Sequence, residues 1–241
     1  MGKTSNFSQS AFFSYTFSMK FETIFFDLDG TLYDNETGLW EIIRQRMSLY
    51  MNEKLGLPWE IIPELRRHYF ETYGTTLRGL QQHYQVDADD YLQFVHDIPL
   101  DQFLKPEPEL HEMIQTLPYR KYVFTNADSN HALRVLNALH LEDCFDGIID
   151  VRAIDFYCKP EPEAYHIALQ RAHVHDPQTV VYLDDSINNL SPATQLGMFT
   201  ILVGQHEPSP AVKLIIPKLK DLRTYLPDLW TNHRQPNKND E

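Results

Sequence analysis

The sequence predicts an α/β protein: a doubly wound, mostly parallel sheet with an all-helical block inserted after its first strand. Three observations lead there. Short apolar segments alternate with amphipathic helical patterns at the spacing of βαβ units. Between the first and second of these segments lie roughly 90 residues, too many for one crossover helix, and they carry helical periodicity. Acidic residues sit at the C-terminal ends of the predicted strands, which in a parallel sheet share one edge.

Taken in order, the predicted strands are Thr23–Leu28, Lys121–Thr125, Gly147–Asp150, Thr179–Leu183 and Phe199–Val203, with a short sixth candidate at Val212–Ile216. Helical patterns at Ser129–Leu141, Glu163–His173 and Asn188–Leu196 separate the later strands, and a last helix is expected near Lys218–Leu226. The insert reads as helices Thr37–Leu55, Trp59–Tyr73, Thr76–Tyr84 and Ala88–His96. In the first, Leu39, Ile42, Ile43, Met47, Tyr50 and Met51 recur at three- and four-residue spacing, which makes one apolar stripe. The expected domains are therefore a core of residues 20–35 and 105–230 and a helical cap of residues 36–104. Residues 1–19, with one lysine and no continuous apolar run, read as a disordered extension. The polar stretch 231–241 reads as a disordered tail.

Composition narrows the function classes. Of the 241 residues 42% are hydrophobic, enough for one large domain or a domain with an insert, and the net charge is −13. No basic run interleaved with aromatics is present, which argues against nucleic acid as a partner, and an acidic surface disfavours anionic membranes. No apolar stretch has the length of a membrane span. The two cysteines, Cys144 and Cys158, form no C-x-x-C pair and read as free thiols in a reducing cytoplasm.

The chemistry concentrates at the strand ends. The first strand stops at Asp27-Leu28-Asp29-Gly30-Thr31, and acids at i and i+2 of an extended chain share one face. Burying them together without a cation or donor costs several kcal/mol. The second strand delivers Thr125-Asn126, the loop after the third holds Lys159, and the fourth delivers Asp184-Asp185-Ser186. Carboxylates without accompanying His or Cys suit Mg²⁺ better than zinc. A hydroxyl, an amide and a lysine near a helix start suit phosphate oxygens. Acids for a metal and donors for an anion describe a phosphoryl-transfer site. In it Asp27 is the candidate nucleophile, Asp29 the candidate general acid/base, and Asp27 with one or both of Asp184 and Asp185 the candidate metal ligands. Lys159 is a candidate for both catalysis and phosphate binding, with Thr125 catalytic and Asn126 and Thr31 on the phosphate. In the insert Tyr73, Thr76 and Arg78 are candidate substrate contacts. Arg44 and Arg46 read as solvated charges, and the histidines as surface residues.

The tetrapeptide Lys-Pro-Glu-Pro occurs at 105–108 and again at 159–162, each time before a helical pattern, where proline followed by an acid is a helix-start signal. Only Lys159 falls in the order the site requires; Lys105 reads as a surface residue.

Asp27-Leu28-Asp29-Gly30-Thr31, Thr125-Asn126, Lys159 and Asp184-Asp185-Ser186 resemble, in order, the four motifs of the haloacid dehalogenase (HAD) superfamily, over about residues 21–205. The resemblance implies a Rossmann-like core, a helical cap of the C1 type and Mg²⁺ as cofactor. It implies that Asp27 binds the metal through its side chain, Asp29 through its backbone carbonyl, Asp185 directly and Asp184 through water. Haloacid dehalogenases lack the second aspartate of the first motif, so Asp29 points to phosphatase chemistry. The stretches Asp27–Tyr33, Tyr73–Leu77, Phe124–Asp128 and Asp184–Ser186 look most like the pyrimidine 5′-nucleotidase branch, which implies a nucleoside 5′-monophosphate such as UMP or CMP. A sugar-phosphate phosphatase or phosphomutase is the alternative on the same fold, and a non-catalytic binding module is the third reading.

Overall fold

The computed structural model describes residues 20–231. The extension at 1–19 and the tail beyond Thr231 lie outside the described residues. Six parallel strands form one sheet: β1 (Thr23–Phe26), β2 (Arg120–Phe124), β3 (Gly147–Ile149), β4 (Val180–Asp184), β5 (Phe199–Val203) and β6 (Leu214–Ile216). Their order is β3-β2-β1-β4-β5-β6. The chain builds outward from β1 to β3, then crosses back to lay β4 on the other side of β1. That reversal leaves a crevice at the C-terminal end of β1, the place where open α/β sheets bind ligands. In register, Phe26 lies opposite Val123 on β2 and Leu183 on β4.

β1 is buried on both faces, as a central parallel strand must be. Its side chains alternate: Ile24 and Phe26 join the larger core on one face, whereas Phe25 packs with Phe124, Tyr165 and Tyr182 on the other. The sixth candidate strand is present as β6. The last predicted helix is much shorter than its pattern: only Leu222–Tyr225 are α-helical, preceded by a 3-10 turn at Leu219–Asp221.

The insert folds as four helices: α1 (Leu39–Glu53), α2 (Ile62–Tyr73), α3 (Thr76–Tyr84) and α4 (Ala88–His96). α1 buries Leu39, Ile43, Tyr50 and Met51, with Ile42 and Met47 packed partly behind them, as the stripe predicts. α2 starts three residues later than predicted, because its start is set by Pro63 in the first turn; Trp59 and Ile61 precede it on the surface. Thr75 and Asp87 cap α3 and α4 by accepting from the amides of Arg78 and Asp90. The remaining helices, α5 (Pro108–Gln115), α6 (Ser129–Leu139), α7 (Pro162–Arg171) and α8 (Ile187–Gln195), flank the sheet, with α9 at Leu222–Tyr225. The second proline of each Lys-Pro-Glu-Pro copy opens a helix, α5 or α7. No helix among the described residues is long and apolar enough to cross a membrane.

α2 and α3 pack closely because Gly79 faces Tyr69; a Cβ there would overlap the tyrosine side chain. Gly79→Val is expected to destabilise the protein by about 1–3 kcal/mol through this overpacking, read as a lower midpoint in chemical denaturation.

Candidate active site

β1 ends at Phe26, but the next amide still pairs with the sheet, Asp27 donating to the carbonyl of Leu183 at 2.9 Å. Asp27 is thus held at the rim of the sheet and is 7% exposed. A tight turn follows, closed by Leu32 N–H on the carbonyl of Leu28 at 3.0 Å, with Gly30 at φ +90°. Glycine is required there twice over: the backbone is left-handed, and a Cβ would collide with the carboxylate of Asp185.

Lys159 reaches under this rim from the loop before α7. Its Nζ donates to Asp27 Oδ1 at 2.7 Å, Asp184 Oδ2 at 3.0 Å, the carbonyl of Phe124 at 2.8 Å and the hydroxyl of Tyr182 at 3.0 Å. The residue is 1% exposed. Burial alone would depress the ammonium, but Asp184 and Asp27 outweigh it and push the lysine up to about 12. The loop is held by Asn126, whose side chain donates to the carbonyl of Lys159 at 3.0 Å and accepts from its amide at 2.8 Å. The Asn126 amide is thus turned to the lysine backbone.

The acids at this edge differ sharply in environment. Asp184 is fully buried and saturated: Oδ1 accepts from Ser186 N at 2.8 Å and Asn189 Nδ2 at 3.0 Å, and Oδ2 accepts from Lys159, Asn189 and Tyr182. Asp185 has one side-chain donor, Asn35 Nδ2 at 3.1 Å on Oδ2, and burial followed by the charge of Asp184 pushes its carboxyl up to about 6. Burial also holds Asp27 well above the carboxylate range; Lys159 works against this, and Asp184 and Asp185 reinforce it. Thr31 donates to Asp27 Oδ2 at 3.2 Å. Burial would raise Asp29 as well, but His131, by charge and hydrogen bond, and the Tyr33 hydroxyl bring it below its ordinary value.

Oxygens of Asp27, Asp184 and Asp185 lie within 4.8 Å of one another. Asp27 and Asp185, but not the buried Asp184, open into a cleft of about 1130 Å³ between core and cap, whose floor also includes Asp29, Thr125, Asn126 and Lys159. The cap wall includes Thr76 and two half-exposed aromatics, Trp59 and Phe70. Thr125 turns its hydroxyl inward, accepting from Ala127 N at 3.0 Å. Arg44 and Arg46 also reach the cleft, the first paired with Glu41 at 2.6 Å and the second donating to the carbonyl of Phe94 at 2.7 Å.

Two candidate substrate contacts lie elsewhere. Arg78 donates to the carbonyl of Phe156 at 2.7 Å and pairs with Glu161 at 3.0 Å, so it ties the cap to the core beside the Lys159 loop and does not line the cleft. Tyr73 bonds His83 through its hydroxyl at 2.8 Å, within the cap. Conversely, the sequence reading passed over Tyr33, Asn35, His96, His131 and Tyr182. Tyr33 and Asn35 follow the first motif closely enough to have been tested with it. Tyr182 sits in a strand pattern where an aromatic reads as core, and most of the described histidines are indeed at the surface; His96 and His131 are the buried exceptions.

Residues 21–197 match the sequence profile of the haloacid dehalogenase-like hydrolases. The chain belongs to this family. A curated relative, "Phosphate metabolism protein 8" of Saccharomyces cerevisiae, is 32% identical over 191 residues; the match takes in 73% of this chain but only 60% of the yeast protein. "Phosphorylated carbohydrates phosphatase" of Thermotoga maritima is 25% identical over 186 residues, 73% of this chain and 82% of that protein. Among solved structures, the HAD-hydrolase YfnB of Bacillus subtilis, bound to magnesium, superposes with a TM-score of 0.59 over 86% of this chain and 99% of its own, at 19% identity. The HAD fold therefore accounts for the sheet order and for the cap after β1.

The excess of carboxylates predicts a pH effect in metal-free protein. Asp185 binds a proton more tightly folded than unfolded, so folding loses stability as pH rises from about 4 to about 6. In the presence of chelator, Asp185→Asn is expected to raise the melting temperature at pH 8, and the gain should vanish below pH 4.

Proposed function

We propose that this chain is a Mg²⁺-dependent phosphatase that hydrolyses a small phosphomonoester through an aspartyl-phosphate on Asp27. The observation that carries this reading is the charge balance at the rim: Asp27, Asp184 and Asp185 converge and, among the described residues, Lys159 is the one cation bonded among them. Asp27 is pushed toward neutrality by burial and acidic neighbours, although a nucleophile must be ionised. A second cation resolves that conflict. The donor set is all oxygen, which fits Mg²⁺, and the magnesium bound to the Bacillus homologue is consistent with this. Asp27, Asp185 and the backbone carbonyl of Asp29 would hold the ion, with Asp184, already saturated by four donors, orienting through water. When bound, the ion supplies charge neutralisation between the nucleophile and the phosphate.

The chain's own residues then divide the work. Lys159 and Thr31 fix the two oxygens of Asp27 so that the carboxylate faces the cleft. Asp27 attacks phosphorus as the ester oxygen leaves with its electron pair. Asp29 gives that oxygen a proton, then takes one from the water that releases phosphate. The phosphate dianion beside Asp29 raises its proton affinity and offsets the lowering by His131 and Tyr33. The cap excludes bulk water while a small substrate is bound.

For substrate we propose a pyrimidine nucleoside 5′-monophosphate. The cleft has room for a nucleotide, and Trp59 and Phe70 offer aromatic faces to a base. The second reading is a sugar phosphate, which the name of the Thermotoga relative favours. Buried, free Cys144 and Cys158 suit a reducing compartment, so we place the enzyme in the cytoplasm.

Asp27→Asn is expected to lower turnover by at least about a thousandfold with the fold retained, read by phosphate release and circular dichroism; activity near wild type would overturn the mechanism. On a panel of UMP, CMP and sugar phosphates, the proposal expects free phosphate, dependence on Mg²⁺ and the highest kcat/KM with UMP or CMP. An isomerised phosphate ester would identify a mutase instead.

A further inference from the structure

One buried group beside Asp29 has been given no step in this scheme. His131, in the first turn of α6, is 1% exposed, and its Nε2 lies 3.1 Å from Oδ1 of Asp29. The hydroxyl of Tyr33 donates to the same oxygen at 2.6 Å. Among the described residues both hydrogen bonds to this side chain end on Oδ1, and Oδ2 is left for the cleft that Asp29 lines.

We infer that His131 is a positioning residue for the acid/base step: together with Tyr33 it pins Oδ1 of Asp29 and so makes Oδ2 the atom that carries the proton. An oxygen that already accepts two hydrogen bonds is a poor place for a further proton, so a protonated Asp29 carries its hydrogen on Oδ2. Without the pins the short carboxyl can rotate and present either oxygen. Each half-reaction then balances at one atom. In the first, the Asp27–phosphorus bond forms, the phosphorus–ester bond breaks, and the departing oxygen takes the proton from Oδ2. In the second, water attacks phosphorus, its proton goes to Oδ2, and the Asp27–phosphorus bond breaks to free phosphate.

The setting of His131 argues for this role over packing. Its Nδ1 is buried without a hydrogen-bond partner among the described residues, an arrangement that a leucine in the same space would avoid. The ring is held from the far side by His96, at the end of α4, stacked at 4.0 Å between centroids and 18° between planes. His96 Nδ1 is bonded to Asp128 Oδ2 at 2.7 Å, and the other oxygen of Asp128 caps α6 through the amides of Asn130 and His131. Asp128, His96 and His131 thus form a braced column that ends on Asp29. A protein with a costly orphan nitrogen at the end of such a column is using the other nitrogen.

The inference rests on the reading of Asp29 as the acid/base, and leaving-group dependence tests the two separately. Two Mg²⁺-loaded substrates are compared by kcat/KM: p-nitrophenyl phosphate, whose phenolate leaves without a proton, and whichever alkyl phosphate of the panel is turned over fastest. His131→Ala is expected to lose about 10- to 100-fold on the alkyl ester and less than about threefold on the aryl ester. His131→Gln, which returns an N–H near the position of Nε2, should recover most of the alkyl activity. Tyr33→Phe should show the same selectivity with a smaller loss, and serves as the second variant should His131→Ala fold poorly. Equal losses on both esters, or none, would overturn the inference. Asp29→Asn is run beside them: a selective loss there without one in the His131 and Tyr33 variants sinks this inference alone. No selective loss in Asp29→Asn sinks the acid/base reading and the inference with it.

Discussion

A lysine sealed from water is stable as a cation only when several oxygens replace its hydration, and in this chain that requirement organises the whole sheet edge. Lys159 draws its four partners from β2, β4 and the turn after β1. Each must arrive at the correct height for the ammonium to be satisfied. The parallel register supplies that: Phe26 lies level with Val123 and Leu183, so the next residues on each strand emerge together above the sheet. Asn126 fixes the loop that carries the lysine, its side chain bonding both the main-chain N–H and the carbonyl of Lys159. The cation is in this sense the keystone, and the acids are placed relative to it.

The same centre also defines a shortfall. One lysine cannot neutralise three converging carboxylates, and the structure distributes the excess unevenly. Asp184 is enclosed by donors and has no oxygen to spare, whereas Asp185 stands next to it with a single amide and a raised affinity for protons. Adjacent residues of identical chemistry are thereby given different tasks by their surroundings alone. The turn glycine, Gly30, belongs to this arrangement, since any side chain there would displace Asp185.

Much of this was legible in the sequence, for identifiable reasons. Asp27, Asp29, Lys159 and Asp184 could be read because each breaks an apolar pattern or follows one, and because a parallel sheet brings its strand ends to one edge whatever the loops between them do. The four cap helices could be read from periodicity, as the buried stripe of α1 shows, whereas their caps Thr75 and Asp87 emerge only in the structure. What could not be read are partnerships. Asn126 pairs with a peptide 33 residues away, and Arg78 with a carbonyl 78 residues away; each has a residue type that fits phosphate or substrate binding equally well. Tyr182 and His131 are embedded in apolar patterns, where an aromatic or a single histidine carries no sign of its polar end. The last helix was over-read because Lys218–Leu226 has helical composition but begins with a 3-10 turn.

One seam between cap and core lies directly against the lysine loop. Gly74, at φ +80°, lies so close to the Lys159 carbonyl that a Cβ would come within 2.8 Å of it, and Arg78 grips the same loop through Phe156 and Glu161. The turn into α3 and the lysine loop therefore behave as one clasp. The rest of the cap is joined differently. Helices α1 and α2 bond to other parts of the cap, Arg46 to Phe94 and Arg66 to Ser48, whereas α4 is tied to the core a second time through His96 and Asp128. A change in the clasp is felt at the lysine. That seam is the hinge point at which the cap and the buried cation share one piece of backbone.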